Sequence, residues 1–510
     1  MPRLKIAVAP NRSNWVDVMR AAYERASYKD AARTFDYFAG SAAPFDAALL
    51  RARIFLRDDE YPSVIRLLTD RKGSGQTEPA QRAMLLGAAN GEMAKFAAAD
   101  EFFDEAERLA RLKRDRDLQG EIAYYRTQRY LTEGKTETAR ELLALVQKAR
   151  TPILRLRARY LESCVFAREG RYRKQADVLL DLLRKAESHG GEAAEIRADA
   201  TQSLAVLARE MHVPGALAVV DAQLAGAAWP EDFAVQRFQA LRAVGWCHAL
   251  LGDYFNAFRY LKWSGEQPVG DAWRAVAACD RAYLARSNGE PLWTAQELAE
   301  AEDYAARADW QRARGEERTG LLLLAELFAP SDTSKAAFYL AQYDELSDSK
   351  SRHSQFHDDP RLAAIAGYSS GVVHLATGKR RLGIESLRKS LDGFKKYGYE
   401  WRAGRAALRL FEAMRDESYL DIAKEKLRHY MGSWLGKELH VMGDQRHAKL
   451  PPMQRKVFEA MCRGLSSKAI AKELGRSEFT VRNHIKLVFK TFGVNSRSQL
   501  LAEAARQDII

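Results

Sequence analysis

Three long cationic side chains, Arg482, Lys486 and Lys490, fall four residues apart near the C-terminus of the 510-residue chain. Residues four apart are neighbours on a helical surface, so the three form one basic stripe if this stretch is a helix. Guanidinium and ammonium groups supply charge and hydrogen-bond donors but no acceptor, a chemistry suited to an anionic surface. Val481, Ile485, Val488 and Phe492 repeat beside them at helical spacing and make an apolar face.

Two further stretches hold residue types that could do chemistry. "RKGSGQT", Arg71 to Thr77, has glycines able to cradle a phosphate, but it lacks the closing Gly-Lys-Ser/Thr of a P-loop and follows no buried strand. An inter-helix loop is the expectation there. "HSQFHDD", His353 to Asp359, places two imidazoles and two carboxylates at ligand-like spacing. It lies in a polar segment, Leu346 to Pro360, that reads as a connection. No nucleophile, base or metal set converges elsewhere, so no enzyme, cofactor or metal is expected.

The charge is unevenly spread. Residues 446–510 carry 13 Lys plus Arg against 5 Asp plus Glu, a net +8 of the chain's +12, while the first 445 residues hold the remaining +4. A small basic segment beside a nearly neutral body is the electrostatic footprint of a nucleic-acid module. Cys164, Cys247, Cys279 and Cys462 are scattered without C-x-x-C spacing, which points to a reducing cytoplasm with neither disulfides nor zinc. The opening apolar run, Leu4 to Ala9, is short and broken by Lys5, and no stretch reaches the roughly 20 apolar residues of a membrane span. A soluble, cytoplasmic protein is expected.

From about residue 13 to 430 the chain is rich in Ala, Leu, Glu, Arg and Gln, and a signature recurs. A small or polar residue is followed two places on by an aromatic or its substitute, and three further on by a small residue. It reads Ala26-Tyr28-Ala31, Asp59-Tyr61-Val64, Ala94-Phe96-Ala99, Gly134-Thr136-Ala139, Gly170-Tyr172 with Ala176 one place late, and Gly252-Tyr254-Ala257. Weaker copies lie at Val213 and Ala216, Gly378 and Gly383, and Ser418 and Ala423. Centres at 28, 61, 96, 136, 172, 213 and 254 stand 33 to 41 residues apart, the period of stacked helical hairpins. Each hairpin leaves an apolar face that only its neighbour can cover, so the array grows as a superhelix with a concave surface. The pattern resembles the tetratricopeptide repeat family, loosely, over about 400 residues.

After "GKELHVMGDQRHAK" the patterning restarts with short elements. Pro451 and Pro452 start a helix with Val457, Phe458 and Met461 on its apolar face, and Gly464 ends it. Ser466 caps a second helix whose Ile470, Ala471 and Leu474 face inward, and Ser477 caps the basic helix, which Gly493 stops. Ser496 caps a last helix carrying Leu500, Leu501, Ala504 and Ala505. Two short helices, a tight turn and a basic third helix describe a helix-turn-helix.

"GLSSKAIAKELGRSEFTVRNHIKLVFKTFGVNSRSQL" resembles the LuxR-type, or GerE-type, DNA-binding domain of bacterial transcriptional regulators over about 60 residues. Where that family usually opens Leu-Thr-x-Arg-Glu, this chain has Leu450, Pro451, Pro452, Met453 and Gln454, and Thr491 stands where a lysine is usual. The missing glutamate ordinarily supports the arginine found here as Arg497. The resemblance implies that Arg482, Asn483 and Lys486 meet base edges, since arginine can bridge O6 and N7 of guanine and asparagine N6 and N7 of adenine. By the same carry-over Lys468, Thr480, His484, Lys490 and Arg497 meet phosphates, which fix register without reading sequence. For His484 a half-buried structural role is the other option, as is a structural role for Arg497.

The expected architecture is all-α: a tail at 1–12, a tetratricopeptide-like solenoid at 13–430, a linker at 431–449 and a four-helix LuxR-type helix-turn-helix domain at 450–510. The expected function is a transcription regulator of double-stranded DNA, dimeric through the last helix, with no membrane association. A protein, peptide or small ligand in the solenoid groove would control it. An interaction scaffold whose DNA module has weakened, through Met453, Gln454 and Thr491, is the alternative.

Overall fold

The structure, a computed structural model, describes residues 10–506 apart from 40–42, 72, 74, 76, 227–228, 230, 314, 349–359 and 444–449. The histidine-containing stretch 353–359 therefore lies outside the described residues. Helices come in pairs: α1 (Trp15–Glu24) with α2 (Tyr28–Phe38), α3 (Phe45–Arg57) with α4 (Tyr61–Leu68), α5 (Glu78–Glu92) with α6 (Phe96–Leu112), α7 (Arg116–Glu133) with α8 (Thr136–Gln147) and α9 (Pro152–Arg168) with α10 (Tyr172–Ala186). The series continues through α11 (Ala194–Glu210) and α12 (Ala216–Gly226), α13 (Ala234–Leu251) and α14 (Tyr254–Gly265), α15 (Asp271–Ser287) and α16 (Pro291–Arg307), and α17 (Thr319–Phe328) and α18 (Thr333–Asp348). It ends with α19 (Pro360–Ala376) and α20 (Arg380–Tyr397), and α21 (Glu400–Met414) and α22 (Glu417–Leu427). Five single helices follow: α23 (Trp434–Gly443), α24 (Pro452–Cys462), α25 (Ser467–Leu474), α26 (Glu478–Phe492) and α27 (Arg497–Arg506). Among the described residues there is no strand, and no helix is long and apolar enough to cross a membrane.

The chain divides into two compact units, Met1–Ala249 with Asp253–Arg402, and Leu250–Gly252 with Ala403–Ile510. The span 431–449, expected to be a linker, holds helix α23, so the composition change near 430 marks no end of helical structure.

The recurring signature is a helix stop. Ala26, Asp59, Ala94, Gly134, Gly170 and Gly252 all have positive φ, between 58° and 85°. The N–H of the next residue returns to a carbonyl five positions back, as from Ser27 to Ala22, Lys95 to Asn90 and Arg171 to Phe166, each 2.9 Å. That is the Schellman closure, which satisfies an end carbonyl and turns the chain back. Tyr28, Tyr61, Phe96, Thr136, Tyr172 and Tyr254 are then the first residues of the second helices. Ala31, Val64, Ala99, Ala139 and Ala257, one turn on, are wholly buried. The fit is close enough that a Cβ on Gly87 of α5 would lie 3.1 Å from the Phe103 ring of α6.

At Val213 the expected register is wrong: the left-handed residue is Gly215 and α12 starts at Ala216. The hairpin turning at Gly289 into Pro291, and the α17–α18 hairpin, lack an aromatic at the first helical position and so escape the pattern.

In the larger unit the first helices of successive hairpins pack on one another, α3 on α5, α5 on α7, α7 on α9, α15 on α17 and α17 on α19. The first two hairpins also meet residues far along the chain. Tyr28 packs edge-on against Phe233 at 6.1 Å, its hydroxyl lies 3.5 Å from Glu195, and Arg57 donates to the Asp232 carbonyl.

Arginine–carboxylate pairs tie neighbouring hairpins together. Arg242 of α13 and Asp280 of α15 are both buried and doubly hydrogen-bonded. Removing one partner strands a charge in the core, which costs about 3–5 kcal/mol, whereas apolar replacement of both is often nearly neutral. Asp280→Ala is therefore expected to lower the urea midpoint of the far-UV circular dichroism transition far more than the double change Arg242→Met with Asp280→Leu. Equal loss in the two variants would contradict this.

Candidate nucleic-acid interface

Helices α24 to α27 enclose a core of their own. Leu450, Val457, Phe458, Ala460, Met461, Ile470, Ala471, Val481, Val488, Phe492 and Leu500 are buried together, and the Phe458 and Phe492 rings stack at 5.0 Å. Ile485 is partly buried against this cluster, so the apolar stripe of α26 faces the core.

Local capping fixes the helix directions. The Ser466 hydroxyl accepts from Ala469 N–H at 3.2 Å, Ser477 from Thr480 at 3.1 Å and Ser496 from Gln499 at 3.2 Å. Gly475 ends α25 at φ 61°, a left-handed conformation in which a Cβ would be strained, and lets the chain turn into α26 within three residues. At the start of α24, Pro451 occupies the cap position without a side-chain hydrogen bond.

With its apolar side buried, α26 presents Phe479, Arg482, Asn483, Lys486, Leu487 and Lys490 to solvent. The three residues expected at base edges are thus brought onto one exposed face. Arg482 is not idle: it donates to Glu478 Oε1 at 2.7 Å, one turn earlier, with both side chains exposed. Phe479 is 75% exposed and Leu487 45%, an apolar component of this face to which no role was attached from sequence. Their spacing of four from Asn483 on either side is the signal that places them on it.

The expected phosphate set divides. Lys468, near the start of α25, and Lys490 are exposed. Thr480 sits in the first turn of α26, half-buried, its hydroxyl 2.8 Å from that of Ser477. His484 is half-buried, and its Nδ1 is enclosed without a hydrogen-bond partner among the described residues.

For Arg497 a phosphate contact and a structural role are both expected options. Its guanidinium donates to the carbonyls of Leu465 and Met461, 2.7 Å each, and so satisfies the end of α24 and the turn after it from the start of α27. Among the described residues Gln454 makes no hydrogen bond to it, and carbonyl oxygens stand where a carboxylate would. These two contacts support the structural option for Arg497, while its remaining N–H donors are not engaged by them. Thr491, in the place of a lysine, turns its hydroxyl back to the Leu487 carbonyl at 3.0 Å and offers no charge.

Among the described residues, the buried cluster of this module is drawn from 450–500 alone, so a 446–510 fragment is expected to fold alone with a cooperative thermal transition. In that fragment Arg497→Met should remove two charge-assisted hydrogen bonds and cost about 1.5–3 kcal/mol or more, lowering the transition. A phosphate anchor would behave otherwise, leaving the thermal midpoint in place and changing only the salt dependence of DNA binding.

Comparison with known proteins agrees with this geometry. The family described as bacterial regulatory proteins, luxR family, matches residues 448–504. The spore germination protein GerE of Bacillus subtilis is 44% identical over 57 residues, which are 11% of this chain and 77% of that protein. Proteins described as candidate HTH-type transcriptional regulators of Mycobacterium tuberculosis and Mycobacterium bovis are 32% identical over 154 residues, 29% of this chain. This chain covers 17% of the length of those mycobacterial relatives. A solved structure, the APC/C hetero-tetramer Cut9-Hcn1, aligns over 99% of both chains at 14% identity with a TM-score of 0.32, too distant to bear on the fold. With a self-contained helix-turn-helix, an exposed basic face on its third helix and these matches to its sequence, the chain belongs to the LuxR family of bacterial regulatory proteins.

Proposed function

We propose that this chain is a transcription regulator that reads double-stranded DNA through α26, with the helical-repeat region, expected at 13–430, as the part that receives a signal from a protein, peptide or small ligand. The observation that carries the DNA-reading role is the single exposed face of α26, on which Arg482, Asn483, Lys486 and Lys490 project opposite the buried apolar stripe. A DNA major groove is about 12 Å wide and admits one helix, so such a face meets base edges when the helix lies in the groove.

The roles follow from reach and chemistry. Arg482 bridges a guanine and Asn483 an adenine, with Lys486 donating to an acceptor edge. The Glu478 pair holds Arg482 in place until then; an exposed pair one turn apart is worth only about 0.3–0.5 kcal/mol, less than the base contact that replaces it. Phe479 and Leu487 supply apolar contact for thymine methyl groups. Lys468, Lys490, Thr480 and the Nε2 of His484 hold phosphates, and the exposed N-terminal N–H groups of α25 and α26 favour the same anions. One such module buries limited DNA surface, which favours a homodimer on paired half-sites.

Arg482→Ala is expected to cost about 1–3 kcal/mol on the cognate site and to relax preference at one base pair. Lys490→Ala should weaken cognate and random DNA alike and flatten the plot of log affinity against log salt by about one unit, because one fewer counterion is released. Mobility shifts across a salt series check both. Equal loss on both DNAs for Arg482→Ala, with an altered slope, would make Arg482 a phosphate anchor instead. Absence of shift by the unmodified chain at low salt would favour the scaffold alternative, in which Met453, Gln454 and Thr491 mark a weakened DNA module.

A further inference from the structure

The first five hairpins and the helix that follows them surround a cavity of about 1000 Å³. Its wall takes Tyr23 from α1, Arg53 from α3, Tyr124 and Tyr125 from α7, Arg157 from α9 and Glu195 from α11. The contact of Tyr28 with Glu195 and Phe233 bounds it on one side. Pockets of about 300–1000 Å³ are the size that holds a small organic molecule.

Donors and acceptors in this wall are out of balance. Glu121 is engaged by Arg53, whose two Nη atoms reach its two carboxylate oxygens. Glu195 faces the Tyr28 hydroxyl and, at 3.9 Å, Arg57 Nε. Arg157 is left between them, 4.0 Å from Glu121 and 4.0 Å from Glu195, within ion-pair range but beyond hydrogen-bond distance of either. Its side chain is 22% exposed, into this cavity, and its guanidinium lies 5.5 Å from the centre of the Tyr124 ring.

The tyrosine hydroxyls are donors as well. Tyr124 accepts from Gln128 at 3.1 Å, which leaves its own proton to give. Tyr23 and Tyr125 make no hydrogen bond through their hydroxyls among the described residues. Burial pushes Tyr23 up to about 12 and raises Tyr124 and Tyr125 too, so all three keep their protons at neutral pH. A half-buried guanidinium without a hydrogen-bonded protein partner is incompletely satisfied, and an anion with free acceptor oxygens supplies that partner. The aromatic faces, with Ile54 and Met93 beside them, suit a flat apolar body.

We propose that this cavity binds a small aromatic carboxylate, its anionic group on Arg157 and the tyrosine hydroxyls and its ring among Tyr23, Tyr124 and Tyr125. This specifies the chemistry of the signal in the function proposed above and rests on that function only for its regulatory meaning.

The probes are 2-naphthoate and its neutral counterpart 2-naphthamide, titrated into the full chain by calorimetry, with thermal unfolding measured in parallel. Naphthoate is expected to saturate one site, with a dissociation constant of 1 mM or tighter by rough expectation for a ligand of this size, and to raise the unfolding midpoint. Naphthamide should bind at least about tenfold more weakly, the loss expected when a charged partner is removed. Arg157→Gln should bring naphthoate down to the level of naphthamide, and Arg157→Lys, which keeps the charge and loses the bidentate fork, should fall between. Far-UV spectra establish that both variants fold; should Arg157→Gln not fold, the acid-against-amide comparison on the unmodified chain decides alone. Failure of naphthoate to saturate, equal binding of acid and amide, or wild-type affinity in a folded Arg157→Gln overturns the proposal. Mobility shift of the ligand-free chain tests DNA reading separately. A chain that binds naphthoate but no DNA keeps the site and loses the regulator, and the reverse outcome loses only the site.

Discussion

The array depends on one backbone constraint, a residue held in the left-handed region at the end of every first helix except α17. An amphipathic helix of this length cannot bury its apolar stripe alone, and the reversal brings the second helix back over it within two residues. Glycine takes that conformation at little cost, but Ala26, Asp59 and Ala94 take it as well, at φ near 60°. The Schellman hydrogen bonds and the wholly buried small residue one turn later offset the strain they incur. Hairpins then stack because each still exposes a face that only the next can cover.

Stacking has an electrostatic consequence. First helices packed side by side bring arginines into the interior, where they must be matched by carboxylates from neighbouring turns. Arg53 with Glu121, Arg242 with Asp280 and Arg281 with Glu297 are such matches. Pairs of this kind contribute little net stability but penalise any packing that separates them, so they favour one register of the stack over others. At Arg157 the matching is loose, and the cavity opens there.

The helix-turn-helix works by the opposite division. Its core is closed by residues of four short helices, and its charges stand outside. One side of α26 is given to Val481, Val488 and Phe492, which leaves the other rigidly oriented and free for contact. The Arg497 contacts belong to the same arrangement: they tie the start of α27 to the end of α24 through the Met461 carbonyl, which also accepts from Gly464 N–H, and the Leu465 carbonyl.

The features that sequence alone determined are those set within a turn or two of chain. Helix starts at Tyr28, Tyr61, Phe96, Thr136, Tyr172 and Tyr254, the Ser466, Ser477 and Ser496 caps and the stops at Gly464, Gly475 and Gly493 all follow from local backbone chemistry, which does not wait for tertiary contacts. So does the two-faced character of α26, a matter of spacing. At Gly215, Gly289 and α18 the pattern failed because no aromatic opens the second helix, although Gly215 and Gly289 take the same left-handed conformation and Glu290 N–H returns to the Ala285 carbonyl at 3.0 Å. Only tertiary structure decided the partners of Arg497, more than 30 residues away in sequence, and the loose setting of Arg157 between Glu121 and Glu195. A long side chain can meet any of several partners, and which it meets depends on how helices distant in sequence come to lie side by side.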